Sequence, residues 1–207
     1  MKKSIFILVF ALIISNLIYA QLPVSAGLKL GFNTSKMPTE ITNISDIKDQ
    51  GRNGFLFGAF IRINLTKFYI QPEVYYTKKG GNFQYSSSGN IFTQQSSFTT
   101  VDIPLLVGVK LLDLKVANFR LMAGPVASFI TDRNVSIQTN GINITSVPSP
   151  TLKFKNSIWG FQAGAGIDVL KFSLDVKYEW GINNISDFAD MTARTKILHV
   201  GLGMKLF

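Results

Sequence analysis

Residues 172–180, FSLDVKYEW, alternate strictly in polarity: Phe172, Leu174, Val176, Tyr178 and Trp180 share one parity, and Ser173, Asp175, Lys177 and Glu179 the other. Successive side chains of a strand point to opposite faces, so this run reads as a β-strand separating two unlike environments. The period recurs along the chain with no comparable helical pattern. It marks eight strands: Val24 to Asn33, Gly54 to Leu65, Phe68 to Lys78, Phe98 to Leu111, Phe119 to Ile130, Ile158 to Val169, Phe172 to Ile182, and Thr195 to Phe207. Most exceed the five or six residues usual in soluble proteins and suit a strand that crosses a membrane at a tilt.

The connections alternate in length. Short returns run through Thr66 and Lys67, Asp113 to Asn118, and Leu170 and Lys171. Long ones run through Thr34 to Asn53, Lys79 to Ser97, Thr131 to Ser157, and Asn183 to Arg194, and are rich in Ser, Thr, Asn, Gln and Gly. Short turns at one end and long loops at the other is the plan of an eight-stranded antiparallel transmembrane β-barrel, an up-and-down meander with periplasmic turns and extracellular loops.

Period-two alternation alone does not say which face points inward, because a soluble secreted barrel has the same period. Three features favour apolar-out. The strands are long and their loops lopsided. Aromatics (Phe55, Phe68, Tyr76, Phe119, Phe129, Phe172, Tyr178, Trp180) sit near the ends of the apolar faces, as interfacial girdles do. The polar face is rich in glycine, which a narrow interior requires.

The remaining composition fits export. Residues 1–20 carry Lys2 and Lys3, an apolar run from Ile5 to Ile14 and a small-residue end at Ala20, the form of a signal peptide cleaved before Gln21. Residues 21–207 then form one barrel domain. The chain has no cysteine, so neither a disulfide framework nor a thiolate metal site is available. Without the two leader lysines the net charge is +7, from 19 basic and 12 acidic residues. The charges form no dense block, so the excess reads as solvated rims meeting anionic lipid headgroups, not as a nucleic-acid surface.

The inward parity collects Lys29, Arg62, Lys110, Arg120, Lys177 and Lys205 against Glu73, Asp102, Asp168, Asp175 and Glu179. Eight strands enclose a space just wide enough for side chains, and charges removed from water persist when paired. The expectation is a salt-bridged interior without an open pore, in which Glu73 pairs with an interior Arg or Lys, Arg62 on the adjacent strand first among them. Pro72, which lacks an N–H, is expected to introduce a bulge or local irregularity there. The single histidine, His199, falls among inward glycines and reads as a structural hydrogen-bonding residue. GFQAGAG (Gly160 to Gly166) lacks a following helix and reads as small-residue barrel packing, not a dinucleotide loop. No catalytic, cofactor or metal site is expected.

The opening GLKLGFNTS (Gly27 to Ser35), YIQPEVYYTKKGG (Tyr69 to Gly81), VDIPLL (Val101 to Leu106), GFQAGAGID (Gly160 to Asp168) and LDVKYEWGINNI (Leu174 to Ile185) resemble, in that order, the PorT-type porin family of Bacteroidota outer-membrane β-barrels. The resemblance implies an integral outer-membrane protein. The member that names the family is linked to type IX secretion. Phe207 matches the terminal aromatic read by the barrel-assembly machinery, although Lys205, Gly203, Gly201 and His199 depart from the apolar series of that signal. The function expected is that of a structural or surface-interaction protein, whose long loops (with Phe83, Tyr85 and Phe92) meet an extracellular glycan or protein. The alternatives are a small porin or an accessory of a secretion system.

Overall fold

A computed structural model describes residues 24–36, 39–41, 48–87, 90–114, 116–139, 142–143, 157–183, 191–193 and 195–206. The expected leader, residues 1–20, and Phe207 lie outside them. Eight long strands build the molecule: β1 (Val24–Lys36), β2 (Lys48–Leu65), β3 (Phe68–Ser87), β4 (Asn90–Asp113), β5 (Ala117–Thr139), β6 (Ser157–Val169), β7 (Phe172–Gly181) and β8 (Lys196–Lys205). Each pairs antiparallel with its neighbours in sequence, and β8 returns to β1 in a register that sets Leu30 opposite Leu202. Closure leaves the barrel without a free edge.

Thr66 and Leu170 have φ of 57° and 54°. Each opens a two-residue turn, where the twist of the flanking strands calls for positive φ even without glycine. Val24 and Leu206, the first and last described residues, lie at the same end as the Thr66–Lys67 and Leu170–Lys171 turns. At the other end the strands exceed expectation: β3, β4 and β5 run for 20, 24 and 23 residues, whereas β7 and β8 have 10 each. The segments expected to be loops over Lys79 to Ser97 and at the start of Thr131 to Ser157 are therefore largely strand. Their Ser, Thr and Gln content suggests loop chemistry, but strands already held in register extend with little further ordering cost. A tilted membrane strand needs about 9–11 residues, so β3–β5 stand well clear of the bilayer on the extracellular side.

The faces separate sharply. Leu30, Phe32, Phe57, Val107, Leu174 and Leu202 are exposed, while Lys29, Arg62, Arg120 and Asp175 are buried inside. That distribution is stable only with hydrocarbon around the wall and excludes a soluble barrel with an apolar interior. Phe55, Phe68, Tyr76, Phe129, Phe172 and Trp180 are also exposed on the outer face.

At Pro72 the irregularity is a break in the ladder and not a bulge. The β2–β3 register is the same at Phe60 opposite Glu73 as at Ile63 opposite Ile70, with only the pairs between them missing. Comparable breaks without a shift follow Pro72 opposite Leu105 on β3–β4 and Pro104 opposite Val126 on β4–β5, where Pro125 is the facing residue. A proline removes one ladder donor, and the bonds on either side hold the register. Shifts occur elsewhere, between Gly51 and Leu56, Thr99 and Thr100, and Lys110 and Leu112.

Candidate functional site

The inward parity of the strands delivers charged side chains to one enclosed space, where they arrange in two tiers. The tier nearer the periplasmic turns is a closed ring. Arg62 Nη1 lies 2.5 Å from Asp168 Oδ2, and Arg120 Nε donates to Asp168 Oδ1 at 3.0 Å. Arg120 also pairs with Asp175, whose Oδ2 lies 2.8 Å from Lys29 Nζ. Lys29 Nζ reaches Glu73 Oε1 at 2.6 Å. Gln71 closes the circuit, donating to Glu73 Oε1 and accepting from Arg62 Nε, both at 2.6 Å. The ring thereby ties together β1, β2, β3, β5, β6 and β7, and Lys205 adds β8 through Asp168 Oδ2 at 3.0 Å. Ser173 accepts a further bond from Arg120 Nη2.

Above the ring, Lys177 Nζ lies 2.7 Å from Glu73 Oε2 and 5.4 Å from the centroid of the Tyr75 ring. The upper tier centres on Lys79 and Glu179. Lys79 Nζ lies 2.7 Å from Glu179 Oε1 and 2.8 Å from Asp102 Oδ2, and donates to Ser128 Oγ. Glu179 Oε2 accepts from Gln162 Nε2 at 2.7 Å and meets His199 Nε2 at 3.1 Å. Gln162 also donates to the Tyr75 hydroxyl. Among the described residues His199 has no serine partner: Nε2 meets the Glu179 carboxylate and Nδ1 has no hydrogen-bond partner there.

Glycines make room for these bulky groups. A Cβ at Gly108 would overlap the Tyr69 ring, and one at Gly166 would run into Asp175 and Arg120. Against β4, which contributes no charge to the ring, the filling is apolar: Tyr69, Leu106 and Met122.

Of the eleven charged residues expected inside, the structure gathers Lys29, Arg62, Glu73, Arg120, Asp168, Asp175, Lys177 and Lys205 in or against the ring and Asp102 and Glu179 in the upper tier. Lys110 is half-buried at the short-turn end, and its backbone N–H donates to the Lys67 carbonyl at 2.8 Å. The expected Glu73–Arg62 pair does not form. Register sets Phe60, not Arg62, opposite Glu73, and the long Arg62 side chain crosses the interior to β6 while Gln71 mediates between the two. The composition around Lys79 points to a loop, although the parity of Gln71, Glu73 and Tyr75 continues to it. Gln162, within GFQAGAG, is hidden in the sequence by the small residues around it.

An apolar outer face, a hydrogen-bonded closed wall and a charged interior define an integral outer-membrane β-barrel protein. This chain belongs to the outer membrane protein beta-barrel domain family, whose model matches residues 19–187. Among solved structures it is similar to the outer membrane protein OprG from Pseudomonas aeruginosa, with a TM-score of 0.54 and 10% identity over 89% of this chain and 97% of that one. Ail of Yersinia pestis, solved with the heparin analogue sucrose octasulfate, gives a TM-score of 0.45 and 12% identity over 88% of this chain and 99% of that one. Neisserial surface protein A gives 0.41 and 12% over 87% and 97%. These likenesses concern the fold. A comparison with curated proteins found no match.

Proposed function

We propose that the protein is a surface-interaction protein: a barrel closed by its own ion-paired interior, which serves as a rigid membrane mount for extracellular segments that contact a glycan or protein outside the cell. The observation that carries this reading is the ring around Glu73 and Asp168, in which Arg62 and Arg120 are at most 1% exposed. Side chains that fill a narrow barrel and satisfy one another leave the solute path blocked. The working surface is then the extended β3–β5 wall and its connections, since long segments on a rigid scaffold commonly carry function.

The same proposal includes the PorT-type affiliation, supported by the motif order from GLKLGFNTS to LDVKYEWGINNI, and insertion by the barrel-assembly machinery. A secretion accessory would use the same closed mount with a protein partner. The test is to display the protein on cells, replace residues 82–95 with a two-residue turn, and measure adhesion to panels of glycans and matrix proteins. Binding is expected for the parent and lost in the shortened variant, with heat-modifiable migration retained in both. Adhesion unchanged by the replacement, or absent in the parent, would contradict the proposal.

A further inference from the structure

We propose that the lipid-facing wall of β3–β6 carries a site for an anionic phospholipid of the periplasmic leaflet, with one acyl chain in a groove over Ala123, Ala163 and Ala165 and the phosphate on Lys67. Most of the outer face is bulky, as at Leu30, Phe57, Leu105, Leu174 and Leu202. Over β5 and β6 the outward positions shrink to alanine, with Ala123 opposite Ala163 and Leu121 opposite Ala165. The result is a groove of about 700 Å³ walled by Phe68, Val107, Val109 and Leu121.

The groove has a direction. It follows the cross-strand row from Phe68 to Val109, Leu121 and Ala165. Phe68 comes straight after the Thr66–Lys67 turn, whereas Ala165 stands five residues before Leu170. In a wall of tilted strands this row climbs from the periplasmic interface into the hydrocarbon. A phospholipid spans the same two zones, with its charge at the interface and a flexible apolar chain leading inward.

Charge at the interface fits that ligand. Lys67, next to Phe68, is exposed, and so is Lys171 in the β6–β7 turn. A cationic rim attracts anionic headgroups and discriminates against zwitterionic ones. This site does not depend on what the extracellular segments bind.

Native mass spectrometry of the full-length mature protein in mild detergent, titrated with phosphatidylglycerol or with phosphatidylcholine of the same chains, tests the proposal. One phosphatidylglycerol should be retained about five-fold more strongly than phosphatidylcholine, the scale of one lysine–headgroup contact. Lys67→Gln should bring phosphatidylglycerol down to the phosphatidylcholine level without touching the wall. The double variant Ala163→Leu, Ala165→Leu should lose both lipids, and Val200→Leu, on the same face but away from the groove, should change nothing. Equal retention of the two lipids by the parent, or undiminished retention by the double leucine variant, would overturn the proposal. So would a dimer of the chain abolished only by the leucines, which would make a second copy the occupant.

Discussion

Lys29 Nζ sits 2.6 Å from Glu73 Oε1, although their strands, β1 and β3, are separated by β2. The residue facing Lys29 on β2 is Gly58, whose missing side chain lets the lysine reach over it. Lys177 takes the other oxygen of the same carboxylate. Glu73 therefore holds two buried cations, one from β1 and one from β7.

Removing that charge while keeping its shape isolates the electrostatic part. Glu73→Gln should destabilise the barrel by about 3–5 kcal/mol, the usual result of leaving a buried charge without its partner. Urea unfolding in detergent micelles measures this. Lys177→Met added to Glu73→Gln should recover part of the loss, because one of the stranded cations is then gone.

In the upper tier the same logic applies to Lys79. Lys79→Met strands Asp102 and Glu179 together, and a loss of about 3–5 kcal/mol is expected. Combining it with Asp102→Asn should be less damaging than Lys79→Met alone. The double-mutant cycle, measured by urea unfolding, gives the coupling directly.

How far these features were legible in the sequence depends on the solvent each face meets. In FSLDVKYEW one parity meets lipid and the other a charged interior, so β7, its direction and its inward residues can be read from the letters. At Lys79 the contrast fades, because the outer face has left the membrane and meets water, although Lys79 itself still points into the buried interior. β3 therefore reads as loop from that point. Pairing was less legible still. The Glu73–Arg62 expectation assumed partners on adjacent strands, but in a narrow barrel long side chains reach across the interior. Arg62 finds Asp168 on β6, and Glu73 finds Lys29 and Lys177. Alternation fixes the face of each residue and not the direction its side chain takes.

Gly108 lies beneath the Tyr69 ring. Gly108→Ala should lower the yield of the heat-modifiable folded form, since a methyl there displaces a ring hemmed in by Arg62 and Arg120. Tyr69→Leu in the same chain should restore that yield by vacating the space. Densitometry of unheated and heated samples reads both effects.

The wall should not exchange uniformly. Pro72, Pro104 and Pro125 interrupt three adjacent seams, whereas the β5–β6, β6–β7, β7–β8, β8–β1 and β1–β2 ladders run unbroken. Amides of β4 from Ile103 to Leu106, apart from proline, should exchange with deuterium faster than those of β7 from Leu174 to Val176. Hydrogen exchange of the folded protein in micelles, read by mass spectrometry, checks this.

Single-channel recording of the refolded protein in a planar bilayer tests the closed interior most directly. A barrel filled by the Arg62–Asp168–Arg120–Asp175–Lys29–Glu73 circuit should give no conductance steps at moderate voltage. Regular, reproducible steps from heat-modifiable, monodisperse protein would contradict the account.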